Sequence, residues 1–209
     1  MSARIDHTTT SGTFDLDGGS WEVDNNVWVL GDDTECVVVD APHDAGAIAR
    51  LVGDRQVRAI LLTHAHSDHV DAALELRDLV DAPVHLHPDD APVWELTHPD
   101  RRWDADLGDG QRIDVAGVTI EVLHTPGHAP GACCFHVPDL GVVFSGDTLF
   151  EGGPGATGRS FSDFDLIVES ITDRLLTLPD DTVVHTGHGD TTTIGEEKPH
   201  RQEWIDRGH

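Results

Sequence analysis

The stretch Thr63-His64-Ala65-His66-Ser67-Asp68-His69 sets three imidazoles and a carboxylate directly after the apolar run Ala59-Ile60-Leu61-Leu62. Imidazole nitrogen and carboxylate oxygen are the ligands that zinc and other first-row divalent cations take. A turn at a strand end converges side chains that a regular helix or strand would spread apart, so the stretch reads as a metal-binding loop. Three later segments repeat its plan, an apolar run ending in a Gly- or Thr-rich loop with a ligand at the tip. They deliver His128 from His124-Thr125-Pro126-Gly127-His128, Asp147 from Ser145-Gly146-Asp147, and His188 from Thr186-Gly187-His188. In a layered sheet protein, strand ends from one side meet at a common edge. His64, His66, Asp68, His69, His128, Asp147 and His188 are therefore candidates for one centre. Seven nitrogen and oxygen ligands suffice for two cations with positions left for water, and the lack of Cys among them favours hydrolytic chemistry over a closed structural zinc site.

The elements that must position these groups are legible as a pattern. Short strands are expected at 13–16 and 26–30 around the Gly18-Gly19 turn, and a buried strand at 36–40 that closes on Asp40-Ala41-Pro42. Asp44 caps a helix to Val52 with Ile48, Leu51 and Val52 on its apolar face; residues 57–62 form the strand that feeds the metal loop, and 68–80 form one helix leaving it. Val84-His85-Leu86-His87 is a second H-x-H, but it lacks the following Asp-His, and alternation sends both rings to one sheet face; it reads as a strand. Residues 93–106 read as irregular, with Trp94 and Trp103 either in a wall near the site or in a loop over the core. A hairpin over 112–115 and 118–123, strands at 131–137, 140–147 and 182–185, a helix over 163–176 and a short helix over 196–207 complete the chain.

Composition narrows the partners. Lys+Arg 13 against Asp+Glu 39 gives a formal charge of -26, a field that repels nucleic-acid phosphates and anionic lipid surfaces. Neither nucleic acid nor membrane is expected as a partner. Cys36, Cys133 and Cys134 have no C-x-x-C spacing and fit a reducing compartment. Met1 to His7 contain no apolar h-region, and no run approaches the length of a membrane span. A cytoplasmic protein folded as one domain over 1–209 is expected, with its oligomeric state left open.

The ordered ligand set resembles that of the metallo-β-lactamase superfamily. The resemblance covers nearly the whole chain and implies an α/β fold in four layers, an αββα sandwich of two mixed sheets flanked by helices. It implies that His64, His66 and His128 bind a first cation, Asp68, His69 and His188 a second, and that Asp147 bridges them. Zinc is the implied metal, with iron or manganese as alternatives. Within the superfamily, Ser145-Gly146-Asp147-Thr148-Leu149-Phe150, the loop from Gly152-Gly153 to Gly158-Arg159, and Gly187-His188-Gly189 followed by Thr192-Thr193-Ile194-Gly195-Glu196 are similar to glyoxalase II-like thioester hydrolases. That similarity implies cleavage of the S-acyl conjugate of a small thiol by a hydroxide held between the metals, with Asp68 as the catalytic residue that orients it. Arg159 either contacts an anionic group of the substrate or braces a loop at the surface. A persulfide dioxygenase that uses one iron is the alternative.

There are departures from that group. Only 21 residues follow His188 (209 minus 188), so the helical domain that holds glutathione in the full-length enzymes is not expected, and another low-molecular-weight thiol fits as the carrier. The tail reads Lys198-Pro199-His200 in place of Asn-Pro, and Gly155-Ala156-Thr157 enlarges the Gly-rich loop. Asp40 either orients a ligand imidazole or caps a turn. His7, His43, His98, His124, His136, His185 and His209 are assigned to structure or solvent, and His200 to the solvated tail.

Overall fold

The computed structural model describes residues 2–208. Two mixed sheets lie face to face. The first has the order β1-β2-β3-β4-β5-β6, built from β1 (Arg4–Leu16), β2 (Gly19–Gly31), β3 (Glu35–Val39), β4 (Gln56–Leu61), β5 (Val84–Leu86) and β6 (Ala105–Asp106). The second comprises β7 (Arg112–Val115), β8 (Val118–His124), β9 (Cys133–Val137), β10 (Val142–Gly146), β13 (Val183–Thr186) and β14 (Thr192–Thr193), in the order β14-β13-β10-β9-β8-β7. A small ribbon of β11 (Leu149–Phe150) and β12 (Gly153–Pro154) stands beside it.

Period-two alternation explains the layering. In β2, Trp28 and Leu30 face the second sheet while Val27 and Val29 face the helices; in β3, Val37 and Val39 point inward and Cys36 and Val38 outward. The second sheet repeats this in β9 and β10, where Phe135 and Phe144 enter the inter-sheet core and Cys134 and Val143 face the opposite helices. Both faces of each sheet are covered, which is why these strands read as unbroken apolar runs. The outer face of the first sheet carries α1 (Ala45–Val52), α2 (Ser67–Val70), α3 (Ala73–Val80) and α4 (Ala91–Thr97). The second carries α5 (Phe164–Ser170), its continuation through Leu175, α6 (Ile194–Glu197) and α7 (Arg201–Arg207). Each buried Val, Leu or Ile contributes roughly 1.5–3 kcal/mol, against about 1 kcal/mol for a cap such as Asp44 on the Ala47 amide. Packing of the sheets, not local propensity, therefore fixes the edge on which the loops meet.

The structure changes or settles several expectations. Residues 68–80 form two helices, α2 and α3, because the backbone of Ala41 inserts at the join: its N–H donates to His69 O and its carbonyl accepts from Ala72 N. Residues 93–106 are not wholly irregular, since α4 begins at Ala91 with Pro92 in its first turn, where a missing N–H costs nothing. Trp94 and Trp103 meet edge to face at 5.8 Å within the core beneath the first sheet's helices, not at the metal loop. The first two strands are also longer than expected, pairing from Arg4↔Gly31 to Leu16↔Gly19. Their turn takes positive φ at both Asp17 (53°) and Gly18 (77°), the conformation that suits a two-residue hairpin.

Candidate metal centre

Every candidate ligand sits just past a strand end. β4 runs through Leu62 and Thr63 into His64 and His66, β8 into His128, β10 into Asp147 and β13 into His188; α2 then carries Asp68 and His69. Backbone bonds lash these ends together: Cys133 N donates to Thr63 O (2.7 Å), Asn26 N to Gly187 O (2.8 Å) and Gly187 N to Gly146 O (2.9 Å). Gly187 is required by this close approach, since a Cβ there would collide with Asp147 Oδ1 and His69 Cε1.

The seven side chains converge as two sets joined by one carboxylate. In the first, His64 Nε2 and His128 Nε2 each lie 3.0 Å from His66 Nδ1. In the second, Asp68 Oδ2 lies 3.2 Å from His188 Nε2 and 3.7 Å from His69 Nε2. Asp147 faces both, with Oδ1 3.3 Å from His69 Nε2 and Oδ2 3.5 Å from His188 Nε2 and 3.6 Å from His128 Nε2. Outer ring nitrogens fix the aim of four of the five histidines. His64 Nδ1 bonds Thr63 Oγ1, His69 Nδ1 bonds Asp40 Oδ2, His128 Nδ1 donates to Ala156 O and His188 Nδ1 donates to Asp24 O. A histidine held in this way presents its other nitrogen as a lone pair. His66 is the exception, with its outer Nε2 buried and without a hydrogen-bond partner among the described residues.

Burial and the adjoining rings hold His64 well below the usual imidazole range and His66 down at about 3; burial lowers His128 as well. Three neutral imidazoles thus turn lone pairs on one point. Burial also pulls on His69 and His188, but the charge of Asp147, with Asp68 beside it, outweighs that pull. His69 is held well above its ordinary value and His188 at about 10. Against the upward push of burial, the facing imidazoles keep Asp68 and Asp147 below the usual carboxylate range.

The donor set fits two divalent cations. Ligands 2.0–2.1 Å from one zinc ion stand about 3.3 Å apart when tetrahedral, close to the spacings in both sets. Asp147 Oδ1, buried without a hydrogen-bond partner among the described residues, and the demand of the second set for positive charge point the same way. A further group of His87, Asp89 and His124 has its ligand atoms close together. Its two rings are stacked 4.0 Å apart at 12°, so a cation in the plane of one lies outside the plane of the other, and the second H-x-H stays structural.

A cavity of about 310 Å³ opens over the centre, walled by Phe14, Trp21, Val23 and Phe150, with Arg159 at one side. The Arg159 guanidinium lies 3.8 Å from the Trp21 ring centroid and 5.3 Å from that of Phe14. Asp40 performs both roles weighed for it: Oδ2 holds His69 Nδ1 (2.9 Å), while Oδ1 accepts from Thr63 N (2.7 Å) at the turn. His200 pairs with Glu203, and His209 lies outside the described residues.

Some contributors have no motif around them. Asn25, fully buried, sets its Nδ2 3.2 Å from Asp68 Oδ2 and 3.3 Å from both His69 Nε2 and His188 Nε2. His43 reaches it through Nε2 (2.9 Å) and pairs with Asp71 on its other side, so its assignment to structure is refined: it braces a residue of the site. Asp90, also fully buried, accepts from Ala65 N and Gly131 N; burial pushes its carboxyl up to about 7 despite those bonds. The only sequence signal for Asn25 is a pair of amides interrupting an apolar strand, and Asp90 is one Asp among many.

A model of the metallo-beta-lactamase superfamily matches residues 21–188. Hydroxyacylglutathione hydrolase GloC of Haemophilus influenzae is 33% identical over 184 residues, covering 80% of this chain and 86% of that one. Among solved structures, BLEG-1 B3 metallo-beta-lactamase superposes with a TM-score of 0.77 at 33% identity, over 92% of this chain and 98% of that one. TTHA1623 in a di-iron-bound form gives 0.76 at 35% identity, over 84% and 93%, and ETHE1 from Myxococcus xanthus 0.73 at 26%, over 95% and 89%. With the sandwich, the strand-end ligands and the match across most of its length in agreement, the chain belongs to the metallo-β-lactamase superfamily.

Proposed function

We propose that this protein is a thioester hydrolase that cleaves the S-acyl conjugate of a low-molecular-weight thiol. The observation that carries the reading is the pair of complete ligand sets joined by Asp147 beneath an apolar-walled cavity with one arginine. The likeness to hydroxyacylglutathione hydrolase GloC supports the substrate class. In this reading His64, His66 and His128 hold one cation, Asp68, His69 and His188 a second, and Asp147 contributes to both. Zinc suits the nitrogen and oxygen donors, and the di-iron relative makes iron the alternative. Two such cations, when bound, would supply a water that ionises near neutral pH and positive charge against the oxyanion that develops at the carbonyl oxygen of the thioester.

The chain's own groups do the rest. Asp68, held by the Asn25 amide, orients the attacking water through its carboxylate. Phe14, Trp21 and Phe150 exclude bulk water from the acyl group, and Arg159 meets an anionic group on the thiol half. A thiolate leaving group, with a free pKa of about 8.5, departs without a general acid; this agrees with a chain that contains Tyr 0. The other reading, a persulfide dioxygenase, needs one iron only, and the full Asp68, His69 and His188 set favours hydrolysis over it.

The test is the ultraviolet loss of the thioester bond in S-lactoylglutathione and in S-lactoyl or S-formyl conjugates of other cellular thiols, with protein of known metal content. Turnover that collapses in Asp68→Ala supports the reading, and carrier preference identifies the thiol. A fully loaded sample that turns over none of these conjugates rejects it.

A further inference from the structure

Asp90 is a fully buried carboxylate that no step above uses. It stands at the N-terminal boundary of α4, where an Asp side chain ordinarily accepts from its own helix's amides, yet it makes no such cap. Both oxygens are committed elsewhere. Oδ2 accepts from Ala65 N at 2.7 Å and Oδ1 from Gly131 N at 2.5 Å. Ala65 lies between His64 and His66 on the loop leaving β4 of the first sheet. Gly131 lies three residues past His128 on the loop between β8 and β9 of the second. One carboxylate thus ties together the two loops that must supply all three imidazoles of the first set, and they come from different sheets.

The approach on the second side is close. A Cβ at Gly131 would come within 2.7 Å of Asp90 N and 2.9 Å of its Cβ and Cγ, so the loop reaches the carboxylate only as glycine. Among the described residues no Lys, Arg or His pairs with Asp90, and the two backbone donors are its compensation for burial. Behind the tie, the bond from Cys133 N to Thr63 O fastens the strand ends; Asp90 fastens the loop tips beyond them.

We propose that Asp90 is a positioning residue for the first cation set, holding the His64–His66 loop against the His128 loop at the spacing the three ring nitrogens show. This rests on reading those histidines as cation ligands. It requires an acceptor at both oxygens. In Asp90→Asn one amide N–H accepts nothing and faces a backbone N–H, donor against donor.

Cadmium-113 NMR of the cadmium-loaded protein tests this, because each cation set gives its own resonance whether or not the protein turns over substrate. In Asp90→Asn the three-histidine resonance weakens, with cadmium affinity at that set falling about 10–100-fold, while the Asp68, His69 and His188 set keeps its wild-type affinity. Gly131→Ala, which obstructs the same tie from the other loop, gives the same selective loss. Parallel weakening of both sets with a lowered melting temperature would mean a general structural role and overturn the proposal, as would two unchanged resonances. Wild-type protein with no resonance from the first set overturns the ligand assignment, and the proposal with it. Should both variants fail to fold, the wild-type amide protons of Ala65 and Gly131 decide the matter. The tie predicts that they are shifted downfield and protected from exchange; exchange as free as that of neighbouring loop amides overturns it.

Discussion

The two candidate cation sets sit side by side with Asp147 facing both, yet they hold protons in opposite ways. The three-histidine set is drawn from both sheets, is nearly closed to solvent, and keeps its rings neutral through burial and mutual repulsion, His66 down at about 3. The other set comes from α2 and the loop after β13, is more open at His188, and has its imidazoles held charged by Asp147 and Asp68. The three rings of the first set would offer a cation lone pairs already free. His69 and His188 would first have to give up protons, and the cation would take over their role of balancing Asp68 and Asp147. The difference predicts that the first set would hold a cation to lower pH than the second.

The change that abolishes the distinction is at the residue both sets share. Asp147→Ala removes a buried charge from between them, and metal content measured after dialysis is expected to fall at both, with turnover down about 10³-fold, as loss of a buried charge partner costs about 3–5 kcal/mol. Loss at one set alone would mean that Asp147 does not join them. The pH dependence sharpens the contrast. With His188 raised to about 10 and His69 held well above its ordinary value, a proton on each competes with the cation, so apparent affinity at the second set falls by about tenfold per pH unit for each proton displaced. His66 at about 3 offers no proton to displace through pH 5. Metal titrations at pH 8 and 5.5 are expected to show two equivalents and then one; equal weakening of both would break the comparison.

A smaller effect, weighted towards the second set, is expected at Asp40. In Asp40→Asn the new amide donates to His69 Nδ1, which moves the ring proton to Nε2 and takes away the lone pair that faces the second set. Affinity there is expected to fall about 10–100-fold, with a lesser loss at the first set because Asp40 Oδ2 also accepts from the Thr63 hydroxyl that holds His64, as read by two-site metal titration. The smallest effect lies outside the metals. Arg159→Gln is expected to raise KM about tenfold for a thioester whose thiol half carries a carboxylate, with kcat unchanged and no effect on its neutral amide.

The clustered His and Asp positions were legible because chemistry and strand ends coincide in the chain: an apolar run followed by Gly or Thr and then His or Asp opens each of the four segments that converge. The layers were legible for a related reason, since strands covered on both faces read as unbroken runs, as in Cys36-Val37-Val38-Val39. What escaped depends on contacts between distant segments. Nothing near Asp71 announces that the backbone of Ala41 will split the helix there. The polar, half-exposed start of β1 gave no alternation to follow, so its length came only with the pairing to β2. Asn25 and Asp90 support the centre from strands and loops far from the motif, in a chain where Asp is too common to stand out.

The measurement that tests the account most directly is turnover of a thioester as metal is added back to metal-free protein, with dissolved oxygen followed in the same cell. Two cooperating sets predict that activity stays low through the first equivalent, rises with the second, is lost again on acidification as the second set empties, and consumes no oxygen. Full activity at one equivalent, or oxygen uptake with a persulfide and no thioester cleavage at two, would contradict it.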